Sequence, residues 1–203
     1  MSILTPCTLR VAVPEDAAEL VEIYAPYVLN TAITFEYTVP TEAEFKERIE
    51  NTLTRYPYFV ARDAKGRAAG YAYASPFKER EAYDHVAELS IYVRKEVRQQ
   101  GLGRFLYSAL EESLTLMGIV STEACIACPA LPDEPFLDDS SLRFHERLGY
   151  MKVAHFKCCG YKFERWYDMV WMEKQLQARK VPAPAIRPFY EVAGEILRLK
   201  TLP

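Results

Sequence analysis

No window of the 203-residue chain is apolar for long enough to span a bilayer, and Met1 to Cys7 has no charged segment leading into a long apolar stretch. Membrane-embedded and exported classes are thereby disfavoured, and a soluble, cytoplasmic protein is expected. Surplus basic charge is missing too. The net charge is −3 and basic residues are dispersed among acidic ones, so neither nucleic acid nor an anionic lipid surface is an expected partner. Cysteines are few and odd in number, five in all, which argues against a disulfide framework and for reduced thiols. Cys125 and Cys128 are spaced Cys-x-x-Cys, but the adjacent Cys158 and Cys159 would make an unusual second half of a zinc site, so no metal is expected. Gly-x-Ser-x-Gly and Gly-Lys-Ser/Thr do not occur, which removes a serine nucleophile elbow and a P-loop from consideration.

With half of its residues hydrophobic, the chain can bury a full core, and its length has room for one domain with an appendage. The most informative stretch is Arg98-Gln99-Gln100-Gly101-Leu102-Gly103-Arg104. Leu89 to Val93, just before it, has strand length and strand composition, and the apolar positions 102, 105, 106, 109, 110, 114 and 117 trace one helix face. A glycine loop at such a junction is an anion cradle, because the backbone can come close to a ligand and the first helical N–H groups lack internal partners. A dinucleotide fingerprint would need a third glycine where Leu106 stands.

Along the chain, Leu9 to Val13 is expected as a strand, and Pro14-Glu15-Asp16 opens a helix to about Leu29. A loop bearing Phe35, Glu36 and Tyr37 comes next. Thr41 and Glu44 form a capping box for a helix to about Thr54. Tyr58 to Asp63 and Ala68 to Ser75 read as a hairpin, Val86 to Val93 as the next strand, and the helix after the glycine loop ends near Gly118. Val120 to Cys128 is a strand, Ser140 to Leu148 a short helix, and Met151 to Lys157 and Asp168 to Leu176 are the last strands.

Arg/Gln-x-x-Gly-x-Gly/Ala between a strand and a helix, in this β-α-α-β-β-β-α-β-α-β-β order, resembles the acyl-CoA pyrophosphate loop of the GNAT N-acyltransferase superfamily. Tyr71-Ala72-Tyr73-Ala74, Lys78, Arg80, Ala82-Tyr83-Asp84, Ala87-Glu88, Tyr92-Val93, Leu106-Tyr107, and His145-Glu146 before Leu148-Gly149-Tyr150 are similar to its phosphinothricin acetyltransferase branch. The resemblance covers about residues 8 to 176. It implies an α/β GNAT fold over 1–177, a strongly twisted mixed β-sheet with helices on both faces, followed by a tail over 178–203. It also implies acetyl-CoA as cofactor, a small-molecule amine as acceptor and a homodimer. The reaction implied is direct acetyl transfer to the α-amine of a small amino acid or analogue, of the phosphinothricin, methionine sulfone or methionine sulfoximine type. Acetylation of a polyamine, aminoglycoside or peptide N-terminus, or CoA binding without turnover, are the other readings.

Glu88 stands where the family places its general base, on the strand face shared by Ser90 and Tyr92. His145 occupies the position from which the superfamily commonly protonates the departing thiolate with a tyrosine. For the cofactor, the resemblance implies backbone groups of Ile91, Tyr92 and Val93, the loop residues Arg98, Gln99, Gln100, Gly101, Leu102, Gly103 and Arg104, and Asp138 and Ser141. Asp138 replaces the branch's asparagine, and a helix cap with the loop's acidic residues facing solvent is the alternative. Phe35, Tyr73, Lys78, Arg80, Tyr83 and Tyr107 resemble the branch's acceptor-site positions, where two cations beside aromatic rings suit a small anionic amino acid. In the tail, Pro182, Pro184 and Pro188 stiffen a linker, and Phe189, Val192, Ala193, Ile196 and Leu197 form a stripe that covers either its own domain or a second copy.

Overall fold

The computed structural model describes residues 7–131 and 134–197. The chain start, with the expectation attached to it, and Asp133 of the acidic loop lie outside the described residues. Seven strands form one mixed sheet: β1 (Thr8–Val11), β2 (Tyr58–Arg62), β3 (Ala68–Pro76), β4 (Val86–Val93), β5 (Ser121–Pro129), β6 (Met151–Lys162) and β7 (Arg165–Gln175). Their spatial order is β1-β2-β3-β4-β5-β7-β6. The β4–β5 pair is parallel and the other pairs are antiparallel.

Five helices cover the two faces. On one face lie α1 (Ala17–Asn30) and α2 (Glu42–Leu53), packed on β2 and β3 through Leu20, Ile23, Phe45, Ile49, Tyr58 and Tyr71. The capping box of α2 forms as expected, with the Thr41 N–H donating to Glu44 at 2.7 Å and the Glu44 N–H donating to the Thr41 hydroxyl at 3.2 Å. On the other face lie α3 (Leu102–Leu116), α4 (Ser140–Arg147) and α5 (Phe189–Leu197), with Leu106, Leu110 and Leu114 fully buried. Asp16, 3% exposed between these layers' edges, binds Arg10 and, at 2.7 Å, Arg62, and thereby ties the start of α1 to β1 and β2. Among the described residues no helix is long and apolar enough to cross a membrane.

Two expected boundaries differ. The last hairpin is longer than its sequence pattern, because Phe163 and Glu164 make a tight turn in the left-handed region, at φ 50° and 60°, without glycine. A bulge between Phe156 and Gly160, with Cys158 at φ 46°, breaks the alternation that would otherwise have signalled strand. The tail packs on its own domain: Phe189, Val192 and Ile196 are buried, and the Phe189 ring meets Phe59 edge-on at 5.6 Å. The side chain of Leu197 is outside the described set.

Gly118 fixes where the tail returns. Its φ is +91°, and a Cβ there would lie 2.5 Å from the Ala185 carbonyl oxygen. Gly118→Ala is expected to lower stability by about 2 kcal/mol, from left-handed strain and displacement of the linker backbone. A urea midpoint equal to that of the wild type would show that the linker is not seated there.

Candidate active site

The β4–β5 pair holds for only three rungs, Val86 with Ser121, Ala87 with Thr122 and Glu88 with Glu123. Beyond them the strands part, although β4 continues to Val93 and β5 to Pro129. The Arg94 N–H bonds to the Ala69 carbonyl at 2.9 Å, so even-numbered N–H groups of β4 face β3 and odd-numbered ones face the gap. Tyr27 satisfies the last of these: its hydroxyl donates to the Val93 carbonyl at 2.6 Å and accepts from the Val93 N–H at 3.1 Å. The N–H and carbonyl of Ile91 are left pointing into the gap. Of Ile91, Tyr92 and Val93, Ile91 therefore presents an amide to the slot, whereas the Tyr92 ring packs among Tyr24, Tyr27 and Tyr71. The slot encloses about 70 Å³ and passes through the sheet, from Ser141, His145 and Tyr107 on one side to Ile33 and Cys125 on the other.

At the end of β4 the chain enters α3 through Gly101, whose φ of +86° requires glycine. The first helical bond runs from Phe105 to the Gly101 carbonyl, so the N–H groups of Leu102, Gly103 and Arg104 have no intrahelical acceptor. Gln99 takes a left-handed turn beside exposed Arg98, whose guanidinium lies 5.0 Å from the Tyr27 ring centroid. Gln100 binds the Glu96 carbonyl at 3.1 Å, which holds the loop in shape. Free amides, a helix dipole and the exposed cations of Arg98 and Arg104 fit a pyrophosphate. Gly103 has a packing role as well: a Cβ there would sit 2.9 Å from Phe144, so glycine lets α4 close on α3.

Asp138 is exposed and accepts a hydrogen bond from the Ser140 N–H at 2.9 Å. Those Ser140 bonds, aided by Arg143 and Arg98, hold its carboxyl below the usual carboxylate range. Asp138 thus closes a turn just ahead of α4, whose N-cap is Asp139 without a side-chain cap bond, so the helix-cap alternative is not what forms. The other acidic member described in that loop does not face solvent: Glu134 accepts from the Tyr167 hydroxyl at 3.0 Å and its side chain is 4% exposed.

His145 and Tyr107 form a buried pair beneath the slot. The His145 Nδ1 is 2.8 Å from the Ser141 carbonyl, which can only accept, so Nδ1 carries the proton. Nε2 then accepts from the Tyr107 hydroxyl at 2.8 Å. Burial pushes the imidazole down to about 4 and the Tyr107 phenol well up. A neutral imidazole whose one N–H is given to a carbonyl has no proton to offer, so the expected proton-donor role does not suit His145. Tyr107 in turn stands apart from the other expected acceptor residues, on the opposite side of the sheet.

Of those residues, Lys78 and Tyr73 act electrostatically on or with Glu88. Burial raises the Glu88 carboxyl above its usual value and Lys78 partly offsets it. Lys78 and Tyr83 line a cavity of about 630 Å³ together with Phe77, Trp171 and Glu123. The Lys78 ammonium lies 4.8 Å from the Phe77 ring and 5.2 Å from the Trp171 ring. Tyr73 stacks on Tyr58 at 4.9 Å, and Arg80 is exposed on the connecting loop. Phe35 lies over Gly160, where a Cβ would be 2.1 Å from its ring. Its loop is pinned by Lys162, 2% exposed, whose ammonium donates to the carbonyls of Thr31 at 2.9 Å and Thr34 at 2.7 Å. Neither Lys162 nor Tyr27 was marked by any sequence pattern, since a lysine in a strand reads as solvated and Tyr27 lies off the main apolar stripe of α1. Among the described residues no group of three or more His, Cys, Asp or Glu side chains is placed to hold a metal ion.

Residues 9–171 match the family model described as "Acetyltransferase (GNAT) domain". The chain is 32% identical to a phosphinothricin N-acetyltransferase of Streptomyces viridochromogenes, over 92% of this chain and 97% of that one. It is 30% identical to an L-methionine sulfoximine/L-methionine sulfone acetyltransferase of Salmonella typhimurium, over 86% of this chain and 98% of that one. Among solved structures, a GNAT superfamily phosphinothricin acetyltransferase from Sinorhizobium meliloti in complex with AcCoA superposes with a TM-score of 0.77 at 36% identity, covering 90% of this chain and 93% of that one.

The hydrogen-bond order around His145 has a pH signature. Because the folded state holds this imidazole neutral down to about 4, the unfolded state takes up a proton first as pH falls below about 6.5. Stability is expected to drop by about 3 kcal/mol between about pH 6.5 and 4 from this residue, and His145→Gln should flatten that part of the profile. In NMR titration the His145 ring should remain neutral at pH 6. Titration near 6.5 would exclude the proposed tautomer.

Proposed function

The chain belongs to the GNAT acetyltransferase family, and from that membership we infer which of its groups perform the transfer and which amine receives the acetyl group. It is an N-acetyltransferase that uses acetyl-CoA. Acetyl-CoA, when bound, supplies the acetyl group as a thioester. The residues to hold it are the amides of Leu102, Gly103 and Arg104 with Arg98 and Arg104 at the pyrophosphate, and the backbone of Ile91 along the slot. The Ile91 N–H faces the slot from a rigid strand, so it is already oriented for a carbonyl oxygen and needs no reorganisation.

The acceptor is an α-amine of a small amino acid or analogue, entering on the Glu88 side. An α-ammonium has a pKa of about 7.7 to 8.0, so a half-buried carboxylate with a raised pKa is a matched acceptor for its proton. Lys78, with Arg80 near it, supplies positive charge for the acceptor's carboxylate or phosphinate, and Phe77, Tyr83 and Trp171 supply apolar walls. Tyr107 lies beside the slot with its O–H given to His145, so neither residue holds a free proton in this arrangement, and the proton for the departing sulfur comes from the acceptor nitrogen. The feature that carries this reading is the fork between β4 and β5: their ladder ends at Glu88 and Glu123, Ile91 beyond it faces the slot, and β4 runs on toward the free amides at the start of α3.

The relatives named above, one a phosphinothricin and one a methionine sulfoximine/sulfone acetyltransferase, support the acceptor class. The reading includes a cytoplasmic homodimer. Unpaired thiols suit a reducing compartment, and the edge strand β6 leaves Met151, Val153 and Phe156 at least half exposed, a surface suited to a second copy.

CoA-thiol release measured over amino acids, their sulfone and phosphinate analogues, and polyamines tests the acceptor class, with the highest kcat/KM expected for small anionic amino acids. Glu88→Gln is expected to lower kcat by about 100-fold or more near neutral pH with acetyl-CoA affinity unchanged. Full kcat in that variant removes Glu88 as the base.

A further inference from the structure

Glu88 is the first of three carboxylates in a row. The register sets Glu88 of β4 opposite Glu123 of β5, and Glu123 opposite Glu173 of β7. In-register neighbours share a face, and adjacent strands are about 4.8 Å apart, so the three side chains project side by side. Cations flank the row. Lys78 acts on Glu88, and Arg179 binds Glu173 at 3.0 Å. Glu123, in the middle, is 6% exposed. Its in-register neighbours Glu173 and Glu88 both disfavour its charged form, and side-by-side carboxyl groups are easier to bury when one of them keeps its proton. Both Glu123 and Glu173 line the 630 Å³ cavity, so the row ends in a space that leads to solvent.

Acetylation of an ammonium acceptor removes two protons from nitrogen. One ends on the CoA thiol and the other must leave. We propose that Glu123 carries that second proton: the acceptor N–H breaks as a Glu88 O–H forms, the Glu88 O–H then breaks as a Glu123 O–H forms, and Glu173 passes the proton to the cavity. No electron transfer or further reactant is involved. The assignment rests on Glu88 being the base, and it makes Glu123 a positioning and proton-holding residue rather than a group that touches substrate. Burial first, then the charges of Glu173 and Glu88, raise the Glu123 carboxyl to about 7. Arg179 works in the opposite direction, and the remaining titratable groups around the cavity are Lys78, Tyr83, His85 and Lys180. The route therefore opens as pH rises through about 7, when Glu123 can accept.

Glu123→Gln keeps the shape but holds no mobile proton. In the ligand-free protein, infrared titration is expected to show a protonated-carboxyl band that disappears near pH 7 in the wild type and is missing in Glu123→Gln. In turnover, the wild-type kcat should rise through a step near pH 7. In the variant that step should vanish, the plateau should fall about tenfold, less than the loss of the base itself, and the solvent deuterium isotope effect should grow. Glu173→Gln, at the less buried end of the row, removes a neighbouring negative charge and should move the band to lower pH. An unmoved band in Glu173→Gln, or a kcat profile in Glu123→Gln that superimposes on the wild type, overturns the assignment. If Glu88→Gln is inactive while those profiles are unchanged, the row alone falls. If Glu88→Gln is itself fully active, the base reading falls with it.

Discussion

Three rungs of parallel pairing between β4 and β5 set the rest of the site. Parallel strands satisfy their backbone groups on each other, so ending the ladder at Glu88 and Glu123 leaves amides that need other partners. Tyr27 takes the last of them, at Val93, and so stops the gap from widening at random. Ile91 remains, facing the slot. The fork also orients the helix beyond it. β4 leads through Gly101 into α3, so the free amides of that helix follow the end of the strand that edges the slot, and Phe144 packed over Gly103 holds α4 against it.

The two sides of the fork differ in electrostatics, and the difference arises from the groups each side buries. On the α3–α4 side, Tyr107 and His145 are neutral groups that satisfy each other and the Ser141 carbonyl, so burial costs them little. Acidic groups are concentrated on the other side, where Glu88, Glu123 and Glu173 share a face and burial favours the protonated forms of Glu88 and Glu123. A thioester and an amine approaching from opposite faces would meet a neutral, internally satisfied pair on one side and proton acceptors on the other. That division suits a transfer in which only the nitrogen has to lose charge.

Elements with a local cause were legible from the chain. The capping box at Thr41 and Glu44, the α3 stripe and the Gly101 turn each depend on residues within a few positions, and they form where their spacing puts them. The three-carboxylate row was not legible, because only the strand order β4-β5-β7 makes Glu88, Glu123 and Glu173 neighbours. His145 was found as a position but not as a chemical state, since its tautomer is set by the Ser141 carbonyl and by Tyr107, 38 residues away. The turn at Phe163 and Glu164 escaped notice because it lacks the glycine or asparagine that usually marks left-handed residues. Phe163 tolerates it by stacking on Phe136 at 4.4 Å.

Lys162 explains how a loop beside the acceptor side can be precise without regular structure. An ammonium that is 2% exposed must be hydrogen-bonded, and the carbonyls of Thr31 and Thr34 are the acceptors it reaches. Burial lowers its pKa, but two charge-assisted bonds and the Phe163 ring at 4.9 Å still favour a cation. The loop that carries Phe35 is thus fastened to the last hairpin by a bond that cannot be exchanged for water without exposing the charge. On its other flank the Ala32 N–H bonds to the Phe136 carbonyl at 3.0 Å, and Glu134 holds Tyr167, so the segment after β5 closes the same loop from behind. This segment meets both the loop and the last hairpin. The placement of Phe35 therefore depends on contacts from the last hairpin and from the segment after β5, whereas that of Glu88 follows from the sheet register alone.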